Sequence, residues 1–230
     1  MPTTNNPAAA NGNRMPADQA GQPLDDLLAS YALGQLNPHL DALVASHLSL
    51  SPRSRDFVAG LESLHGAALE QVDVMSPPAK RDVRLAAIFD SPQPEQIRVP
   101  RLSCAILPAP LLALTGKGFS DLTWKSVLPG IKEYKIDGLQ DGEASVLWIK
   151  PGRTMPSHTH DGSEYTLVLK GGFRDLSGHY RRGDIAIADA DIDHHPKADD
   201  DEDCICFAFT EHPVRLTGFF GSIAQRLLGR

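Results

Sequence analysis

Gly152, His158, His160, Glu164 and Gly171 follow the spacing G-x5-H-x-H-x3-E-x6-G. Side chains alternate faces along a strand, so two histidines separated by one residue share a face and can grip one ion. Glu164 follows after Asp161-Gly162-Ser163, a run of turn formers that lets the chain bend back toward the imidazoles. Two imidazoles and a carboxylate on one hairpin are a donor set for zinc, iron or manganese.

The string matches the first signature of the cupin superfamily, whose members are small antiparallel β-barrels. The second cupin signature opens on a glycine and places a histidine eleven positions later. Here the glycine is Gly183 and the histidine His194, a count that separates His194 from the adjacent His195. The usual Pro and Gly of that signature are replaced by Asp189 and Asp191, and its trailing Asn by Ala198, so the turn is expected to be built differently. The resemblance implies one divalent metal held by His158, His160, Glu164 and His194, with zinc the first expectation and iron or manganese the alternatives. His179 and His212 match no ligand slot, and His195 is expected on the opposite strand face, exposed or at best a partner of a ligand.

The elements that must position these residues read as an α+β chain. Residues 1–22, rich in Pro, Ala, Asn, Thr and Gly, are expected to form a disordered leader. Residues 23–90 show helical spacing. Leu24, Leu27, Leu28 and Tyr31 mark one helix ending near Gly34. Leu40, Leu43, Val44, His47 and Leu48 mark a second, started by Asn37-Pro38. A third follows Ser51-Pro52 from Arg53 to Leu69, and a fourth covers Ala79 to Phe89. Residues 91–115 carry Pro92, Pro94, Pro100, Pro108 and Pro110 and read as an extended interdomain linker. Residues 116–230 turn to β signals, at Ile131–Ile136, Ala144–Ile149, Tyr165–Leu169, Ile185–Ile187 and Cys204–Phe209, with a closing helix at Ser222–Leu228. The fold class expected is thus a small N-terminal helical domain followed by an antiparallel β-barrel, the double-stranded β-helix of cupins.

A helical domain ahead of a cupin resembles the ChrR-type anti-sigma factors. The likeness is carried by Leu27 to Leu50, with Tyr31-Ala32, Gly34 and Ser46-His47-Leu48-Ser49-Leu50, then by Pro156 to Asp175, Gly183 to Pro196, and Asp203-Cys204-Ile205-Cys206. It implies that the helices hold an extracytoplasmic-function sigma factor inactive while the metal-bound cupin senses a stress signal, a small ligand or an oxidant. In that family the helical domain also binds zinc through H-x3-C-x2-C and an upstream histidine. This chain keeps His47, but Ser51 and Ser54 fill the cysteine slots and Gln22 the upstream slot. Serine hydroxyls do not ionise near neutral pH and are poor zinc ligands, so no zinc is expected there. His47 then reads as an apolar-face residue satisfied by a backbone or serine partner.

Composition narrows the field. A net charge of −7 and a pI near 5.7 argue against a nucleic-acid surface. No apolar run reaches the length of a membrane span, and a cytoplasmic location is expected. Three cysteines are an odd count, and a reducing compartment fits. Cys204 and Cys206 read as small core residues, with redox or electrophile sensing as the alternative. The runner-up function is an iron-dependent cupin dioxygenase in which Tyr165 and Arg174 reach the pocket, and a third reading is a scaffold or sigma-independent regulator.

Overall fold

A computed structural model describes residues 22–76, 79–92, 104–138, 142–189, 195–212 and 214–216. Five helices come first: α1 (Gln22–Ala32), α2 (Pro38–Leu50), α3 (Pro52–Leu69), α4 (Arg81–Phe89) and α5 (Ala109–Thr115). The Asn37 side chain caps α2 by accepting from the N–H groups of His39 and Leu40, at 3.1 and 3.0 Å, and Pro38 occupies the first turn, where a missing N–H costs nothing. Ser51 ends α2 and caps α3 through its hydroxyl. Residues 1–21 of the expected leader and the closing helix expected at residues 222–228 lie outside the described residues, whereas Gln22 opens α1.

The rest is antiparallel sheet: β1 (Lys125–Leu128), β2 (Ile131–Ile136), β3 (Glu143–Ile149), β4 (His158–His160), β5 (Glu164–Lys170), β6 (Gly172–Arg174), β7 (His179–Arg181), β8 (Ile185–Ala188), β9 (Lys197–Ala198), β10 (Cys204–Thr210) and β11 (Val214–Leu216). They form a six-stranded sheet ordered β1-β2-β3-β10-β5-β8, a three-stranded sheet β7-β6-β9 and a pair β11-β4. All seven residues of the central strand β10 are buried.

Alternation along β10 divides the interior in two. Ile205, Phe207 and Phe209 face outward from the cupin interior and pack with Leu167 and Leu169 of β5 and Val146 of β3 against the helices. Cys204 and Cys206 face inward with Val168, Ile149 and Phe173. The outer cluster is continuous with Leu27 and Leu28 of α1, Leu40, Leu43 and Val44 of α2, Val58 of α3, and Leu107, Leu111 and Leu112 at α5. Helical and cupin residues therefore share one apolar core.

Of the segment expected to be an extended interdomain linker, residues 93–103 lie outside the described residues, and residues 104–115 depart from that expectation. Residues 109–115 are helical, and Leu111 and Leu112 are buried beside α2. Pro110 lies in the first turn of α5, where proline is tolerated, so the proline count misdirects there. After α5, a 3-10 turn at Phe119–Asp121 brings Phe119 to 5.3 Å from Trp124 and 5.7 Å from Trp148, centroid to centroid. Trp124 and Trp148 stand 5.5 Å apart, edge to face. In contrast, α4 buries none of its residues, and no described helix is long and apolar enough to cross a membrane.

Two buried histidines of α2 give the fold a pH dependence. Burial lowers the pKa of His39, and burial lowers that of His47 against smaller opposing effects of the Gly183 carbonyl and Asp184. The unfolded chain then takes up protons first on acidification, so stability holds above the ordinary value of 6.5 and falls as pH drops from there toward the folded values. Urea midpoints at about pH 7.5 and about pH 5.5 check this; the lower pH should give the lower midpoint.

Candidate metal centre

Backbone pairing of β4 with β11 sets His158 opposite Leu216 and His160 opposite Val214, so both positions lie on one strand, two apart in its register. His158 is buried. Its Nδ1 lies 2.8 Å from the Pro156 carbonyl. A carbonyl only accepts, so Nδ1 carries a proton, and in the neutral ring Nε2 then presents its lone pair. That Nε2 stands 3.5 Å from Glu164 Oε2, while the Thr166 hydroxyl donates to Glu164 Oε1 at 3.0 Å. The pair lines a cavity of about 50 Å³ together with Met155, Thr166, Phe173 and Cys206.

Local backbone chemistry makes this approach possible. Gly162, in the turn joining β4 to β5, has φ +91°, and a Cβ there would come within 2.6 Å of Glu211 Oε2. The Glu211 carboxylate accepts from the Ser163 N–H at 2.8 Å, and the Glu211 N–H donates to the Ser163 carbonyl at 3.1 Å. Glu211 thus fixes the turn that aims Glu164. Sequence reading missed it, because a contact across 48 residues has no local signal. Thr166 was within reach, since it lies two along the strand from Glu164 and so shares its face.

The arrangement fits an ion as far as it is described. A buried imidazole nitrogen, its ring oriented by the Pro156 carbonyl, and a largely buried carboxylate converge on one point, as metal ligands do. The His160 side chain and His194 lie outside the described residues. His195 is exposed, as is His212. His179 pairs with Asp199, Nε2 to Oδ2 2.8 Å. Burial raises the pKa of Asp199, but His179 and Arg174 outweigh it and hold the carboxyl below the usual range.

The expectation that Tyr165 and Arg174 reach the pocket is overturned. Tyr165 follows Glu164 directly, so it points to the other face and packs near Phe209, 6.3 Å between centroids. Arg174 is exposed and its Nε lies 3.4 Å from Asp199. It lines a separate open groove of about 1000 Å³ with Lys170, Arg182 and Glu202, where both signs of charge are mixed.

Antiparallel cupin sheets, an inward histidine–carboxylate pair and helices packed on the opposite sheet face define a cupin domain fused to an N-terminal helical domain. Residues 116–214 match the family model described as ChrR Cupin-like domain. The chain is 34% identical over 208 residues to the Anti-sigma-E factor ChrR of Cereibacter sphaeroides, covering 87% of this chain and 94% of that protein. It belongs to the ChrR family of anti-sigma factors. The crystal structure of Rhodobacter sphaeroides SigE in complex with the anti-sigma ChrR matches with a TM-score of 0.68 at 33% identity, over 81% of this chain and 96% of that one. An RmlC-like cupin from Ralstonia eutropha also aligns, at 19% identity and a TM-score of 0.35, over 44% of this chain and 69% of its own.

The three cysteines differ sharply in character. Cys204 and Cys206 are buried, with Sγ atoms 3.5 Å apart. The Cys206 thiol is pushed well above its usual range by its hydrogen bond with the Cys204 thiol, then by burial and by the charges of Cys204 and Glu164. At Cys104 burial also raises the pKa, but the N–H groups of Leu107, Phe119 and Ile106 together outweigh it and lower the value. Iodoacetamide near neutral pH should therefore alkylate Cys104 in the folded protein and reach Cys204 and Cys206 only after denaturation. Peptide mass spectrometry reads the pattern.

Proposed function

We propose that this chain is a cytoplasmic anti-sigma factor whose helical domain sequesters an extracytoplasmic-function sigma factor. We further propose that its cupin domain holds one divalent metal, zinc before iron or manganese, and senses a stress signal, small ligand or oxidant. The observation that carries the first part is the apolar surface that the shared core leaves uncovered. Leu64 and Leu69 of α3 and Val83, Ile88 and Phe89 of α4 are all exposed, Phe89 by 82%. Large apolar side chains left exposed in this number mark a protein-binding surface. In the related ChrR, the anti-sigma factor is seen in complex with SigE.

The metal reading rests on the donors. His158 and Glu164 would hold the ion together with His160 and His194, the set implied by the cupin signatures. A closed four-ligand site of this kind supplies structural cross-linking. Within this chain, Pro156 orients His158, Thr166 orients Glu164, and Glu211 fixes the turn between them. A cavity near 50 Å³ is far smaller than the several hundred Å³ usual for substrate pockets, and Tyr165 is turned away from it, which favours a metal-holding role over a dioxygenase.

Communication between the two functions has a physical route. β5 and β10 present Glu164 and Cys206 to the cavity and Leu167, Phe207 and Phe209 to the helices. A signal acting on the cavity shifts sigma binding only if it favours one packing of this wall over another. Sigma inhibition by the full chain, measured by transcription with the cognate sigma factor, should be lost when the exposed Leu69, Ile88 and Phe89 are together replaced by Asp. His158→Ala should keep inhibition, lose the bound metal and blunt release by the signal. Full inhibition by that triple variant would sink this reading.

A further inference from the structure

His47 is 3% exposed and both of its ring nitrogens are engaged. Nδ1 lies 2.6 Å from the carbonyl of Gly183, and Nε2 lies 2.7 Å from Ser54 Oγ. The direction of every proton follows. A carbonyl only accepts, so Nδ1–H donates to Gly183 and Nε2 accepts from the Ser54 hydroxyl. Ser51 donates its hydroxyl to Ser54 Oγ at 3.0 Å, and the Ser54 N–H donates to Ser51 Oγ at 3.4 Å. The network is complete with a neutral imidazole and two un-ionised serines.

These residues do not fit the helical-domain zinc that the family resemblance implies. The imidazole has no lone pair left over, and the hydroxyls that replace thiolates keep their protons. The network instead does two things at once. Through Ser54 and Ser51 it closes the corner between α2 and α3. Through Gly183 it reaches into the cupin domain, 136 residues away.

The acceptor is well placed to matter. Gly183 sits at φ +96° in the turn before β8, with Leu50 at the end of α2 only 3.3 Å from where a Cβ would stand. Its N–H donates to the Val168 carbonyl at 2.9 Å, and the Val168 N–H donates to the Asp184 carbonyl at 3.0 Å. Val168 lies on β5, the strand that carries Glu164. We propose that His47 is an interdomain pin: it orders the α2–α3 corner without zinc and fastens the helical domain to the β7–β8 turn of the cupin domain. This goes beyond the sigma-binding reading and stands whether or not the cupin site holds a metal.

Two substitutions in the full chain separate the two bonds. His47→Asn keeps a donor near the Nδ1 position and so keeps Gly183, whereas His47→Gln reaches toward Ser54 and gives Gly183 up. Hydrogen exchange by mass spectrometry should show amides of residues 181–184 opening about tenfold more readily in His47→Gln, the order expected for one lost buried hydrogen bond, and at the wild-type rate in His47→Asn. Equal behaviour of the two variants at 181–184 would overturn the pin. If either variant fails to fold, Ser54→Ala supplies the second test, since it should loosen residues 38–58 and leave 181–184 protected. Zinc titration of the His158→Ala/His160→Ala chain completes the test. No zinc retained is the expected result, and one tightly held ion that is lost with Ser54→Ala would overturn it. Absence of metal from the wild-type chain as well would count against the cupin metal and leave the pin intact.

Discussion

Phe207 and Phe209 of β10, with Leu167 and Leu169 of β5, turn an apolar face away from the cupin interior, and α1, α2 and α5 cover it. Each fully buried side chain of this size contributes roughly 1.5–3 kcal/mol by leaving water, so neither partner is stable with that face bare. Everything else in the arrangement follows from the cover. It makes α2 a central helix, buried over most of its length. It brings the end of α2 against the turn at Gly183. It also uses up the apolar surface of α1 and α2 while, among the described residues, leaving the second half of α3 and all of α4 largely exposed.

The same strands serve two surroundings because a strand has two faces and a period of two. In β5 the even-numbered Glu164, Thr166 and Val168 belong to the cavity side, and the odd-numbered Tyr165, Leu167 and Leu169 to the helix side. Nothing separates the two environments but one layer of backbone. Close packing makes such a layer respond to small changes on either side.

Much of this was legible in the residues. Helix α2 announces itself through Asn37-Pro38 and an apolar stripe, and the His158–His160–Glu164 spacing places a strand, a turn and a second strand correctly. The serine partner of His47 was within reach as well. What was illegible is what depends on distant pairing. Gly183 as the other partner of His47, and Glu211 as the brace of the Asp161–Ser163 turn, have no trace in local sequence. Helix α5 was hidden for a different reason: prolines at a helix start look like prolines in an extended linker. Tyr165 was misplaced although its adjacency to Glu164 already puts it on the other face.

The chain has two tryptophans, and both stand in a single corner with Phe119, where Lys132 Nζ also lies 4.8 Å over the Trp148 ring. Intrinsic fluorescence of the folded protein is therefore a local reporter. It reads the seam where the segment after α5 enters the cupin sheet, with no indole in α1 to α4 or in the cavity wall. A bound partner on α4 would leave the emission unchanged unless its effect travelled through the shared core, so a spectral change on binding is itself a measure of that transmission.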